Sequence, residues 1–233
     1  MNKENTSERK LLNFRLFFGL SAFLCLVGVS LELYSAYHHK SVLPPNAGFT
    51  RTFGPGLDGL FNHFFYFTTQ SNIIIGISAF LLALNPVRTS DQFHIWRLVG
   101  IIDITITCIV FNFVLKNSPR PDQIASLAST IQHAINPSLA ILGWLIYGPK
   151  GSVSVKRVAI AALVPIAYAI FTLVRGAILV WYPYNILDVT NLGYGGVSIY
   201  IAAIFILFLI IAGFLAVIER WIGPRISTRI ESN

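Results

Sequence analysis

Charge is scarce in this 233-residue chain: Asp, Glu, Lys and Arg together make up only 12% of it. A soluble domain carries about a quarter. With 55% hydrophobic residues and a mean hydropathy of +0.67, that scarcity excludes an ordinary soluble domain and points to a multi-span membrane protein. Cysteine is nearly absent. Cys25 and Cys108 both fall inside apolar runs, which argues against a disulfide framework or a thiolate metal site and leaves them as small buried hydrophobes. The sequence also lacks a His-Glu-x-x-His motif, a Walker A loop, a Gly-x-Gly-x-x-Gly turn, low-complexity tracts and internal repeats. These absences disfavour metal hydrolysis, ATP-driven work and dinucleotide chemistry, so no metal and no cofactor is expected. The missing repeat also counts against a transporter built from two related halves.

What is present is a series of apolar runs, each near the roughly 20 residues that cross a bilayer. Six are marked, at about Leu11–Tyr37, Leu60–Asn85, Ile95–Leu115, Ile124–Gly148, Val155–Tyr182 and Gly195–Trp221. The expectation is an all-α bundle of six transmembrane helices forming one domain over 1–233. The first run follows Lys10 as a signal peptide would, but it is too long and lacks a small-residue cleavage site, so it reads as a retained span. Twelve Lys and Arg side chains fall on one side: Lys3, Arg9, Lys10, Arg15, Arg88, Arg97, Lys150, Lys156, Arg157, Arg220, Arg225 and Arg229. The other side holds only Lys40, Arg51, Lys116 and Arg120. By the positive-inside rule both termini are cytoplasmic. The net charge of +7 is dispersed at segment ends, which suits anionic lipid headgroups and not nucleic acid. The long connection His38–Gly59 is rich in Pro and Gly and reads as an ordered lid or a coil.

Polar residues interrupt these runs at matching depth. The second run contains Phe65-Tyr66-Phe67-Thr68-Thr69-Gln70-Ser71-Asn72, with Thr68 about 12 Å from its start at 1.5 Å per residue. His133 lies at nearly the same depth in the fourth run, Arg175 in the outer half of the fifth, and Asn112 in the outer half of the third. Thr68, Ser71 and Asn72 share one helical face, whereas Thr69 and Gln70 point elsewhere and read as packing residues. On the fourth run Ser126, Ser129, Thr130, His133, Asn136 and Pro137 form a polar stripe, and Pro137 frees a carbonyl one turn earlier. Hydroxyls and amides in spans often serve as glue between helices. A histidine at this depth is costlier and carries acid–base chemistry. Arg175 requires a partner, for which Asp188 and Asp103 are the candidates, Asp188 by depth.

A threonine hydroxyl becomes nucleophilic when a base takes its proton, and histidine can do this and return the proton to a leaving alcohol. Asn72, Asn112, Asn136 or Arg175 could steady the resulting oxyanion. The run FYFTTQSN, His133 four residues before Pro137, and Arg175-Gly176 leading to Trp181-Tyr182-Pro183-Tyr184 and Leu187-Asp188 together resemble the androgen-inducible/ADTRP-like family of multi-span membrane proteins. The resemblance covers the second to fifth runs and is to a prokaryotic member. It implies a threonine hydrolase that cleaves fatty-acid esters of hydroxy fatty acids. Residue by residue, it implies Thr68 as nucleophile, His133 as base, and a third element at Tyr182, Pro183 and Asp188. The sequence departs from the eukaryotic pattern at Gln70-Ser71-Asn72 and at Asn185-Ile186, which lengthens that third element. The expectation is therefore an intramembrane, metal-independent hydrolase of lipid or fatty-acyl esters, in the outer-leaflet half of a bacterial plasma membrane. Asn72, Asn112, Asn136, Arg175, Tyr182 and Asp188 are the expected substrate-binding residues. The competing readings are a lipid acyltransferase using the same pair and a non-enzymatic lipid or small-solute transporter.

Overall fold

The computed structural model of the chain describes residues 3–148 and 152–222, and Lys150, Arg225 and Arg229 lie outside them. Among the described residues every regular element is helical. Helix α1 spans Lys3–His38, α2 Leu57–His63, α3 Phe67–Leu84, α4 Asp91–Val110, α5 Gln123–Thr130, α6 Asn136–Ile146, α7 Val155–Leu179 and α8 Val189–Ile222. Five helical stretches are long and apolar enough to cross a membrane: Ser7–His38, Phe67–Leu84, Asp91–Leu115, Val155–Leu179 and Val189–Trp221. Their outward faces carry Leu16, Phe23, Ile170, Ile178, Ile206 and Phe214, all exposed, the reverse of a soluble surface.

The fourth apolar run is helical from Gln123 to Ile146 but not uniformly α. Helices α5 and α6 join end to end through a π turn at Ile131–Ile135. A single π turn inserted into an α-helix commonly marks a functional site. Asp122 caps the start, its Oδ1 accepting from Ala125 N at 2.6 Å. Helix α4 likewise ends in a π turn, at Phe111–Leu115. Residue Pro137 lies at the start of α6, and the carbonyl it cannot bind, that of His133, accepts instead from Asn112 Nδ2 at 3.4 Å.

The second run is not one helix, which corrects the sequence reading. Helix α2 ends at His63, a turn follows over Phe64–Tyr66, and α3 starts only at Phe67, with Tyr66 extended at φ −83°, ψ 134°. The reason is packing. Phe65 stacks on Phe171 at 5.5 Å, Tyr66 meets Trp181 and Tyr184 edge-on at 5.6 Å each, and Phe67 tilts against Tyr168 at 5.0 Å. One continuous α turn does not send three successive aromatics to such different partners. Thr68 therefore sits in the first turn of α3, not well inside a span.

Other boundaries shift too. Helix α7 stops at Leu179 instead of Tyr182, because Val180 adopts a left-handed conformation at φ 50°. Helix α8 is broken at Gly193, so regular helix resumes near the expected Gly195. Arg97, counted above among the basic residues of a connection, is inside α4 and only 1% exposed. It donates to Ser78 Oγ at 3.0 Å and lies over the Phe18 ring.

Helix α4 supplies the centre of the core through Leu98, Val99, Ile101, Ile102, Ile104 and Ile106, packed with Trp144, Ala161 and Phe208. Helix α1 lies against α3, α5 and the π turn. A Cβ at Gly28 would sit 2.9 Å from Ile131 Cγ2, so the absence of a side chain lets α1 come this close. The connection after α1 is ordered. Ser41 and Phe53 exchange hydrogen bonds, Phe49 is buried with Trp181 and Tyr182, and Gly48 N donates to Asp188 Oδ2 at 2.7 Å.

Candidate functional site

Thr68 Oγ1 and His133 Nε2 stand 3.2 Å apart, across 65 residues of sequence. The first turn of α3 supplies one and the π turn between α5 and α6 the other. His133 is 7% exposed and lies face to face with Phe111, the ring centroids 3.7 Å apart. Its Nδ1 is 2.8 Å from the carbonyl oxygen of Ser129. A carbonyl can only accept, so Nδ1 carries the hydrogen and, in the neutral ring, Nε2 has the free lone pair. Thr68 therefore donates its hydroxyl hydrogen to His133. In such a geometry a histidine held in one tautomer can take the proton of a hydroxyl. The Ser129 side chain lies 3.2 Å from the same Nδ1 and accepts from Arg120 Nη2 at 2.8 Å.

Two tyrosine hydroxyls meet the start of α3. The N–H groups of a first helical turn have no partners within the helix. Here Phe67 N donates to Tyr168 Oη and Thr68 N donates to Tyr184 Oη, both at 3.2 Å. Tyr168 passes its hydrogen to the Phe65 carbonyl at 3.1 Å. Tyr184 Oη is also 3.3 Å from Thr68 Oγ1. Neither tyrosine was singled out by the pattern of polar residues, because both sit among apolar neighbours. The signal was the Tyr-Pro-Tyr run at 182–184, whose third residue turns back over Thr68.

The expected substrate-binding residues divide. Asn72 Nδ2 donates to the carbonyls of Thr68, at 2.9 Å, and Gln132, at 3.4 Å. Asn136 Nδ2 donates to Asn72 Oδ1 at 2.7 Å. These two amides form a buried brace behind Thr68 and His133. Asn112 holds the carbonyls of Cys108 and His133. Arg175 pairs with neither Asp188 nor Asp103. It donates to Asn62 Oδ1 at 2.8 Å and lies over the rings of Phe65, Trp181 and Phe53. Tyr182 is 2% exposed and packs on Phe49. Asp188 is fully buried and accepts from Gly48 N, Thr190 N, Thr190 Oγ1 and Asn191 N, which caps α8 and ties down the long connection. Oxyanion binding by the asparagines or Arg175 is thus not what their contacts serve. Tyr182 and Asp188 border neither cavity at Thr68 and instead anchor the long connection and the start of α8. Thr69, read above as a packing residue, is 2% exposed and also borders a cavity beside Thr68.

Two cavities meet at the pair. One, of about 120 Å³, is the more polar of the two and is bordered by Glu32, Ser35, His63, Arg120 and Gln132 beneath the long connection. The other, of about 100 Å³, is bordered by Ile106, Val110, Ala169, Ile201, Ile204 and Phe205, between α4, α7 and α8. Thr68, His133, Phe111, Leu115 and Tyr184 line both. At the polar end Glu32 Oε1 is 3.3 Å from His63 Nε2, and Asp122 Oδ2 is 2.9 Å from His39 Nδ1. Burial pushes the Asp122 carboxyl up, but the Ala125 N–H, the Ser35 hydroxyl and His39 together hold it below the usual carboxylate range. Among the described residues no three His, Cys, Asp or Glu side chains converge as metal ligands would.

Comparisons with models of protein families, with curated proteins and with solved structures give no match for this chain.

Proposed function

We propose that the protein is an intramembrane hydrolase of lipid or fatty-acyl esters, with Thr68 as nucleophile and His133 as general base and acid. The observation that carries this reading is the 3.2 Å contact of Thr68 Oγ1 with the lone-pair nitrogen of His133, at the wall shared by a polar and an apolar cavity. The lining of the apolar side suits an acyl chain, and that of the polar side suits water. The ester carbonyl then lies at Thr68 without leaving the membrane.

In the first half-reaction Thr68 Oγ attacks the acyl carbon as its proton passes to His133 Nε2, and the leaving alkoxide takes that proton as its C–O bond breaks. In the second, water from the polar side gives a proton to His133 Nε2 and attacks the acyl-threonine; as the acyl–Oγ bond breaks, His133 returns that proton to Thr68 Oγ and the acid is released. Throughout, the Ser129 carbonyl keeps His133 in the required tautomer.

The same reading includes six crossings, with Gln123–Ile146 as the additional one. Both termini are cytoplasmic, and the site lies in the outer-leaflet half of a bacterial plasma membrane. It also includes kinship with the androgen-inducible/ADTRP-like hydrolases, supported by the meeting of the Thr68 and His133 elements. Incubation of the purified protein with a labelled long-chain fatty ester is the test. Free labelled acid is the expected product. A new acyl lipid in its place identifies a transferase, and an unchanged ester in every membrane mimetic contradicts the reading.

A further inference from the structure

We infer that Tyr184 is a further catalytic residue of this reaction, donating its phenolic hydrogen to the oxyanion formed at the ester carbonyl. The inference rests on the hydrolase reading above. A tetrahedral intermediate needs hydrogen-bond donors, and the asparagines and Arg175 expected from the sequence to supply them are engaged elsewhere. Both hydrogens of the Asn72 amide go to main-chain carbonyls, as do those of Asn112. Asn136 donates to Asn72, and Arg175 is held by Asn62 and three aromatic faces.

Tyr184 stands where those residues do not. Its oxygen accepts from Thr68 N at 3.2 Å and is 3.3 Å from Thr68 Oγ1. The directions of these bonds follow from one another. His133 Nδ1–H is taken by the Ser129 carbonyl, so Thr68 must give its hydrogen to His133 Nε2. Thr68 Oγ1 is then left as acceptor, and the Tyr184 O–H is its donor. A hydroxyl that already accepts from an N–H is a stronger donor, because such chains polarise one another. The neighbouring Tyr168 shows the alternative: its hydrogen is committed to the Phe65 carbonyl, so it holds the start of α3 and has nothing to offer the site.

When Thr68 Oγ bonds the acyl carbon, the carbonyl π electrons move to its oxygen and the threonine proton rests on His133. Thr68 Oγ becomes a poor acceptor as the new oxyanion appears one bond further away. The Tyr184 hydrogen passes to that oxyanion by rotation of the hydroxyl, and it returns when the carbonyl re-forms and the alcohol leaves. Tyr184 lines both cavities, so it meets the carbonyl wherever the chain and the alcohol divide between them.

The test is Tyr184→Phe, which keeps the ring against Tyr66, with two readouts beside thermal unfolding. Loss of one oxyanion donor lowers kcat about 10²- to 10³-fold, with KM changed little. A long-chain trifluoromethyl ketone, which forms a tetrahedral adduct on the nucleophile, should lose affinity by a similar factor. Turnover and adduct affinity within twofold of the parent overturn the assignment. If the phenylalanine variant fails to fold, fluorotyrosine at 184 takes its place. A rate and an adduct affinity indifferent to phenol acidity then overturn the assignment in the same way. A parent protein that forms no adduct at Thr68 overturns the hydrolase reading and this inference together, whereas an adduct unaffected at Tyr184 overturns this inference alone.

Discussion

The carbonyl oxygen of Ser129 lies 2.8 Å from His133 Nδ1, one turn back along the same helical run. It takes the place that a carboxylate occupies in other nucleophile–base–orienter sets. A main-chain group cannot be removed by a side-chain substitution, and this separates two variants. Ser129→Ala keeps the carbonyl, and its turnover should stay within about tenfold of the parent. His133→Gln keeps an acceptor for the Thr68 hydroxyl but has no base, and its turnover should fall by about 10²- to 10⁴-fold. Initial rates on a labelled ester compare them.

The Asn72–Asn136 bond behind the pair predicts stability effects. Asn72→Ala removes two donors to buried carbonyls and should cost about 1–3 kcal/mol, the usual penalty for leaving buried polar groups unpaired. Combined with Asn136→Ala, the loss should be less than the sum of the two, by about 0.5 kcal/mol or more. Unfolding in detergent by a graded denaturant measures both. Strict additivity would mean that the two amides act independently.

At Gly176 a Cβ would overlap the Tyr182 ring at Cε1, and the ring is walled in by Phe49. Gly176→Ala should therefore destabilise the protein by about 1–3 kcal/mol through overpacking, seen as a lower midpoint of thermal unfolding. Tyr182→Phe keeps the ring packed on Phe49, and its stability should stay near that of the parent.

Asp188 ties the long connection to the start of α8. Asp188→Ala leaves Gly48 N and the first turn of α8 without their acceptor. The connection at 39–56 should then become sensitive to proteases added from the side on which it lies, while Thr68 remains reactive toward a small fluorophosphonate. Loss of reactivity with unchanged protease resistance would instead make Asp188 a direct participant in the chemistry.

Much of the bundle was legible in apolar runs, because bilayer thickness sets their length. The Thr68–His133 meeting was legible as matching depth of costly polar groups. The break before Phe67 was not, because Phe64–Tyr66 is as apolar as a helix interior and only the separate partners of the rings interrupt it. The π turns were hidden as well, since they change main-chain register without changing the side-chain pattern. The role expected of the asparagines failed for a related reason. An amide in a span is assigned by composition to any site nearby, yet the carbonyls that a π turn, a proline or a helix start leaves open claim it first. The contact of Tyr184 with Thr68 was not legible because it depends on the chain reversing after the left-handed Val180, a tertiary event with only the Tyr-Pro-Tyr run as a local sign.

The reaction of Thr68 itself is the most direct test. The purified protein is treated with a long-chain fluorophosphonate, and the modified peptide is located by mass spectrometry. The account predicts one phosphonate on Thr68, lost in Thr68→Ala, strongly slowed in His133→Ala and retained in Thr68→Ser. Labelling that persists unchanged in Thr68→Ala, or that resides on another residue, contradicts it.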